Sequence, residues 1–90
     1  MVIDKHISWL ELHYKLYLNS IGNDALEKVF IFKIGNYINK HPEIIQEAKN
    51  IIGKEHPYSD SFFSSFYAIE FFEDSLYELI SILKSTKEHI

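Results

Sequence analysis

Residues 59–83, SDSFFSSFYAIEFFEDSLYELISIL, are the longest apolar-rich stretch of this 90-residue chain and constrain its fold more than any other feature. More than half of the aromatic residues lie in this stretch or directly before it. Phe62, Phe66, Ile69, Leu76, Ile80 and Leu83 are spaced 4, 3, 7, 4 and 3 apart, the spacing of one helix face. A second apolar line runs through Phe63, Tyr67, Phe72, Leu79 and Ile82. A helix apolar over so wide a sector packs on two sides and belongs at the centre of a domain. Asp60 suits its N-cap, and Lys84 and Lys87 favour its C-terminal end. The pattern predicts one long helix. The alternative is two helices with a bend near Asp74: Glu73-Asp74-Ser75 interrupts the apolar lines, and Ser75-Leu76-Tyr77-Glu78 reads as a capping box.

The preceding chain reads as three shorter helices. Ile3, Ile7, Leu10, Tyr14, Tyr17 and Ile21 place a first helix over residues 4–20, with Trp9, Leu12 and Leu16 widening its face. Gly22, in Asn19-Ser20-Ile21-Gly22-Asn23, is a stop signal suited to a left-handed position. Asp24-Ala25-Leu26-Glu27 caps a second helix with Leu26, Val29, Phe30, Ile34, Tyr37 and Ile38 on its face. Residues 29–32 alone could pass for a buried strand, but the helical pattern continues on both sides. Gly35, unfavourable by roughly 1 kcal/mol in a helix interior, allows close approach of a neighbour. His41-Pro42 ends that helix and opens a third, with Ile44, Ile45, Ala48, Ile51 and Ile52 inward and Gly53 closing it. The expectation is a single all-α domain over residues 1–90: an antiparallel four-helix bundle, with five helices if the last stretch breaks near Asp74.

Composition narrows the function classes. There is no cysteine, which excludes disulfides and thiolate chemistry and suits a cytoplasmic protein. The N-terminus lacks the basic and apolar regions of a signal peptide, and no apolar run is long enough to span a membrane. All nine basic residues are lysine and the net charge is −4, which argues against nucleic acid as a partner. His6 and His13 are seven apart with Glu11 nearby, yet no third ligand is evident, so the histidines read as exposed helical residues and no metal or other cofactor is expected. His56 and Asp60 read as a local hydrogen-bonding pair. No HExxH, GxSxG or phosphate-loop pattern occurs, so the chain reads as non-catalytic.

The one suggestive polar pattern is acidic. Glu70, Glu73, Asp74 and Glu78 share a face of a continuous last helix, flanked by Tyr67, Phe71 and Tyr77. Like charges at such spacings weaken a helix slightly. A surface of this kind complements a basic protein partner, and charge complementarity speeds association.

His56-Pro57-Tyr58-Ser59-Asp60, followed by aromatics, resembles the His-Pro-x-x-Ser-Asp segment of the nuclease-colicin immunity family, with a one-residue gap. The family's Tyr-Tyr-Pro is absent and no binding residue is carried over. Length, acidity and helical character also resemble small bacteriocin and contact-dependent-inhibition immunity proteins. The resemblance implies an immunity protein that neutralises a basic toxin nuclease. The competing expectation is a phage or plasmid helical interaction protein, either an anti-defence inhibitor or a small regulator that dimerises through the wide apolar sector of its last helix.

Overall fold

A computed structural model describes residues 2–53 and 60–88 of the chain. Five helices account for nearly all of them: α1 (Val2–Asn19), α2 (Asp24–Lys40), α3 (Glu43–Ile52), α4 (Asp60–Tyr67) and α5 (Glu73–Glu88). No strand occurs among the described residues, and residues 29–32 lie inside α2. None of these helices is long and apolar enough to cross a membrane.

The punctuation follows local chemistry. Gly22 adopts φ 102° between α1 and α2, a region closed to most side chains. The cap of α2 is Asn23, one residue before the expected Asp24: its Oδ1 accepts the Leu26 backbone N–H at 3.2 Å. Asp24 and Glu27 instead occupy the first turn, where carboxylates favour the helix dipole. Proline geometry separates α2 from α3. His41, ahead of Pro42, takes φ −128°, ψ 70°, and its N–H still reaches the Ile38 carbonyl at 3.1 Å.

The last stretch is two helices rather than one: the alternative with a break near Asp74 holds, and the break falls at 68–72, just before α5 begins at Glu73. α4 ends with the Ile69 N–H donating to the Phe66 carbonyl at 3.3 Å and the Glu70 N–H donating to the Ser65 carbonyl at 2.8 Å. These two bonds form a Schellman motif, whose closing residue is left-handed and usually glycine. Here that residue is Ile69, with φ 58°. A β-branched residue is unfavourable there by about 1–2 kcal/mol. Packing accounts for its presence. A Cβ on Gly35 of α2 would lie 2.7 Å from Ile69 Cγ1, so the missing side chain of one residue is the seat of the other. Gly35 does permit a close approach, made by a connecting turn. Phe71 anchors the same turn, buried and stacked on Phe66 at 5.3 Å between ring centroids. From α2, Asn39 Nδ2 donates to the Tyr67 carbonyl at 3.2 Å.

α5 packs against both α1 and α3, while α2 packs against α1 and α4. Phe66, Leu10, Ile34, Ile38, Ile44, Leu76, Leu79 and Leu83 are fully buried between them. Burying each contributes roughly 1.5–3 kcal/mol relative to exposure. Asp60 opens α4 as its first residue, exposed, 3.8 Å from Lys49 Nζ. Lys84 ties α5 to α1 through Glu11 at 3.4 Å. Residues 56–59, which carry most of the immunity-family resemblance and the expected His56–Asp60 pair, lie outside the described residues.

Several apolar positions face outward against expectation. Leu12 and Leu16 of α1 and Leu26 and Val29 of α2 are exposed, as is Phe32. The buried side of α2 runs through Ile34, Gly35 and Ile38 instead. Tyr67 and Phe72, from the second apolar line of the last stretch, are exposed too, whereas Phe63, Leu79 and Ile82 are buried.

Candidate functional site

Two side-chain clusters stand apart from the core. The first lies where α5 begins beside α1. Glu73 and Asp74 occupy the first turn of α5, with Tyr77 one turn on and 55% exposed. Tyr77 meets Tyr14 of α1 with ring centroids 6.2 Å apart. The Tyr14 hydroxyl is held above its ordinary pKa by burial first, then by the carboxylates of Glu73 and Asp74. Tyr17 is raised by burial, with Glu27 and Glu73 adding to it. Two aromatic side chains and two acids therefore form one surface. Phe72, 77% exposed, directly precedes it. A groove of about 480 Å³ between α1 and α5 adjoins it, lined by Tyr14, Leu18, Tyr77 and Ile80 and by the Glu11–Lys84 ion pair.

The predicted acidic face is only partly assembled. Glu70 lies in the connection and is off any helix, because the break at 68–72 interrupts the spacing that would align it with Glu73. Tyr67 ends α4 near α2 and α3, its hydroxyl raised by burial and then by the Glu43 charge. Glu78 is half-buried on α5. Glu73 and Asp74 sit at a helix N-terminus, where acids are favourable. The expected helix penalty for clustering these acids does not apply to them.

The second cluster joins three helices at the α2–α3 corner. His6 and His13, expected to be exposed, are 3% and 7% exposed. They do not point at one another's ligands. His13 donates from Nδ1 to the Trp9 carbonyl at 2.8 Å and stacks on the Trp9 ring at 3.7 Å. Trp9 stacks in turn on Tyr37 of α2, also at 3.7 Å. His6 turns toward α2 and α3. Its Nδ1 is 2.7 Å from the Tyr37 hydroxyl and its Nε2 is 3.2 Å from Glu43 Oε2.

A carboxylate only accepts, so a neutral His6 donates Nε2–H to Glu43, and the Tyr37 hydroxyl donates to Nδ1. His41 Nδ1 lies 3.5 Å from the same Oε2, and the His6 and His41 rings are 4.7 Å apart. Glu43 is held below the ordinary carboxylate value chiefly by its own backbone N–H; desolvation works against this, and the hydrogen bond from His6 and the His6 and His41 charges add to it. Tyr37 is raised by burial, then by Glu43. The four side chains open into a pocket of about 620 Å³, which Trp9, Leu12 and Lys5 also line.

Sequence reasoning missed this second cluster. His41 and Glu43 flank Pro42, so the turn that separates α2 from α3 also brings both side chains to one point. His41-Pro42-Glu43 was the available signal, but its third partner is 35 residues earlier, on α1. Comparison with known proteins finds no matching family model, no similar curated protein and no similar solved structure.

Proposed function

We propose that the chain is a non-catalytic protein-binding module, and that the surface of Glu73, Asp74, Tyr77 and Tyr14 receives a basic protein partner. A toxin nuclease is the simplest such partner, because its cleft must bind a polyanion. The chain would then act as an immunity protein in the cytoplasm. The observation that carries this proposal is the exposed Tyr77 meeting Tyr14 of α1, with Glu73 and Asp74 in the first turn of the same helix as Tyr77. Exposed aromatic residues supply anchoring contacts, and acids around them supply steering.

The test is co-expression with the product of the adjacent gene, followed by an affinity measurement. Tyr77→Ala in an anchoring position lowers affinity by at least about 2 kcal/mol, roughly 30-fold. Unchanged affinity removes Tyr77 from the interface.

The exposed apolar residues of α1 and α2 favour a second reading, a small self-associating regulator. Leu12, Leu16, Leu26, Val29 and Phe32 provide the apolar surface, rather than the last helix. Sedimentation across a concentration series distinguishes it: a monomer at all concentrations excludes this reading.

A further inference from the structure

We propose that His6 Nε2, His41 Nδ1 and Glu43 Oε2 form a mononuclear site for a divalent transition metal of the zinc class. The inference is independent of the protein-binding reading and uses a different part of the molecule.

Three observations carry it. The first is distance. Ligand atoms bound tetrahedrally to zinc at about 2.0–2.1 Å lie roughly 3.3–3.4 Å from each other. Glu43 Oε2 is 3.2 Å from His6 Nε2 and 3.5 Å from His41 Nδ1, and all three ligand atoms lie within 4.8 Å of one another. The second is donor type. Two imidazoles and one carboxylate are one of the ligand sets found in open zinc sites, with the fourth position left for water. Imidazole nitrogen selects zinc, copper or nickel over magnesium and calcium. His6, His41 and Glu43 all line the pocket that Trp9 and Tyr37 share, which offers space for a fourth ligand.

The third is the partner behind His6. A ligating histidine holds its other ring nitrogen in a hydrogen bond that sets tautomer and orientation. The Tyr37 hydroxyl, 2.7 Å from His6 Nδ1, occupies that place. On metal binding, the His6 proton moves from Nε2 to Nδ1, and the Tyr37 hydroxyl turns from donor to acceptor. No net proton is lost by a neutral His6. The buried His6 is fixed in place, while the side chains of His41 and Glu43 are 36% and 50% exposed and can adjust. Lys5 also lines the pocket, so the occupied site would carry additional positive charge at its edge.

The experiment is calorimetric titration of tag-free full-length protein with Zn²⁺, with Co²⁺ absorption as a geometric readout. One equivalent should bind, and Co²⁺ should give the intense visible bands of tetrahedral coordination. Tyr37→Phe should weaken binding by about 10–100-fold. His41→Ala and Glu43→Gln should each weaken it further, while His13→Ala leaves it unchanged. Nitrogen NMR of the parent protein needs no variant: Zn²⁺ should shift His6 Nε2 and His41 Nδ1 and leave both His13 nitrogens in place. Absence of binding, several weak equivalents, full affinity in His41→Ala, or NMR shifts confined to other histidines would each overturn the site.

Discussion

Replacing Gly35 by alanine should destabilise this protein even though alanine is the better helix former. In an unobstructed helix interior the change is favourable by about 1 kcal/mol. At Gly35 the new Cβ would meet Ile69 Cγ1 at 2.7 Å, Cγ2 at 3.0 Å and Cβ at 3.2 Å. These atoms cannot swing away cheaply. They belong to the base of a β-branched side chain, stiff at χ1, on a turn fixed by the hydrogen bonds of Ile69 and Glu70 to α4. Overpacking of this kind costs about 1–3 kcal/mol, and the rigid base of Ile69 puts the cost near the upper end. The net expectation is about 2 kcal/mol of destabilisation.

The control is the same substitution in an Ile69→Gly background, where all three obstructing atoms are gone. There Gly35→Ala should stabilise by about 1 kcal/mol, giving a coupling near 3 kcal/mol in a double-mutant cycle. Urea unfolding followed by circular dichroism and Trp9 fluorescence measures all four proteins. If Gly35→Ala stabilises the parent as much as it stabilises the Ile69→Gly protein, Ile69 is not seated on Gly35 and the account of the α4–α5 break fails.

Two further outcomes follow from the packing and the electrostatics. Phe66→Ala removes a fully buried ring stacked on Phe71 and should cost about 3–5 kcal/mol in chemical unfolding; a fully stable variant would place Phe66 outside the core. Tyr14 should ionise above its ordinary value of 10.0, and Glu73→Gln with Asp74→Asn should bring it back toward that value in a carbon-NMR titration. The sign for stability follows from proton binding: the folded state holds the Tyr14 proton more tightly, so its contribution is complete below pH 10.0 and is lost as pH rises through the folded pKa. A Tyr14 titration unmoved by the double substitution would separate those acids from the α1 surface.

The helical fold was readable because its signals are local. Gly22, Gly53 and His41-Pro42 mark boundaries where the structure has them, and the apolar spacing of α3 marks Ile44, Ile45 and Ala48 as buried. The α4–α5 break was harder to place. Its closing residue is isoleucine where glycine is usual, and what stabilises the turn is Gly35, 34 positions earlier. A glycine at position 69 would have announced the stop. Likewise, Leu12, Leu16, Leu26 and Val29 lie in the apolar sectors of their helices. Which edge of each sector is covered depends on where the neighbouring helices pack, and spacing within one helix carries no record of that. The acidic surface was half legible: Glu73, Asp74 and Tyr77 follow from one helix, but Tyr14 comes from α1, and Glu70 drops out with the break. The His6 cluster needs three helices to converge, so only His41-Pro42-Glu43 was visible along the chain.

The central functional claim is that the Glu73–Asp74 surface steers a basic partner onto Tyr77. Its most direct measurement is the association rate of the co-expressed partner with the parent and with Glu73→Gln/Asp74→Asn, at low and at high salt. Neutral isosteres are preferred to charge reversal, because each lost N-terminal carboxylate costs α5 only about 0.3–1 kcal/mol. The account predicts markedly slower association for the variant at low salt and convergence of the two proteins at high salt, where exposed charges are screened beyond about 8–10 Å at physiological strength and closer still above it. Equal association rates at low salt, with both proteins folded, would contradict it.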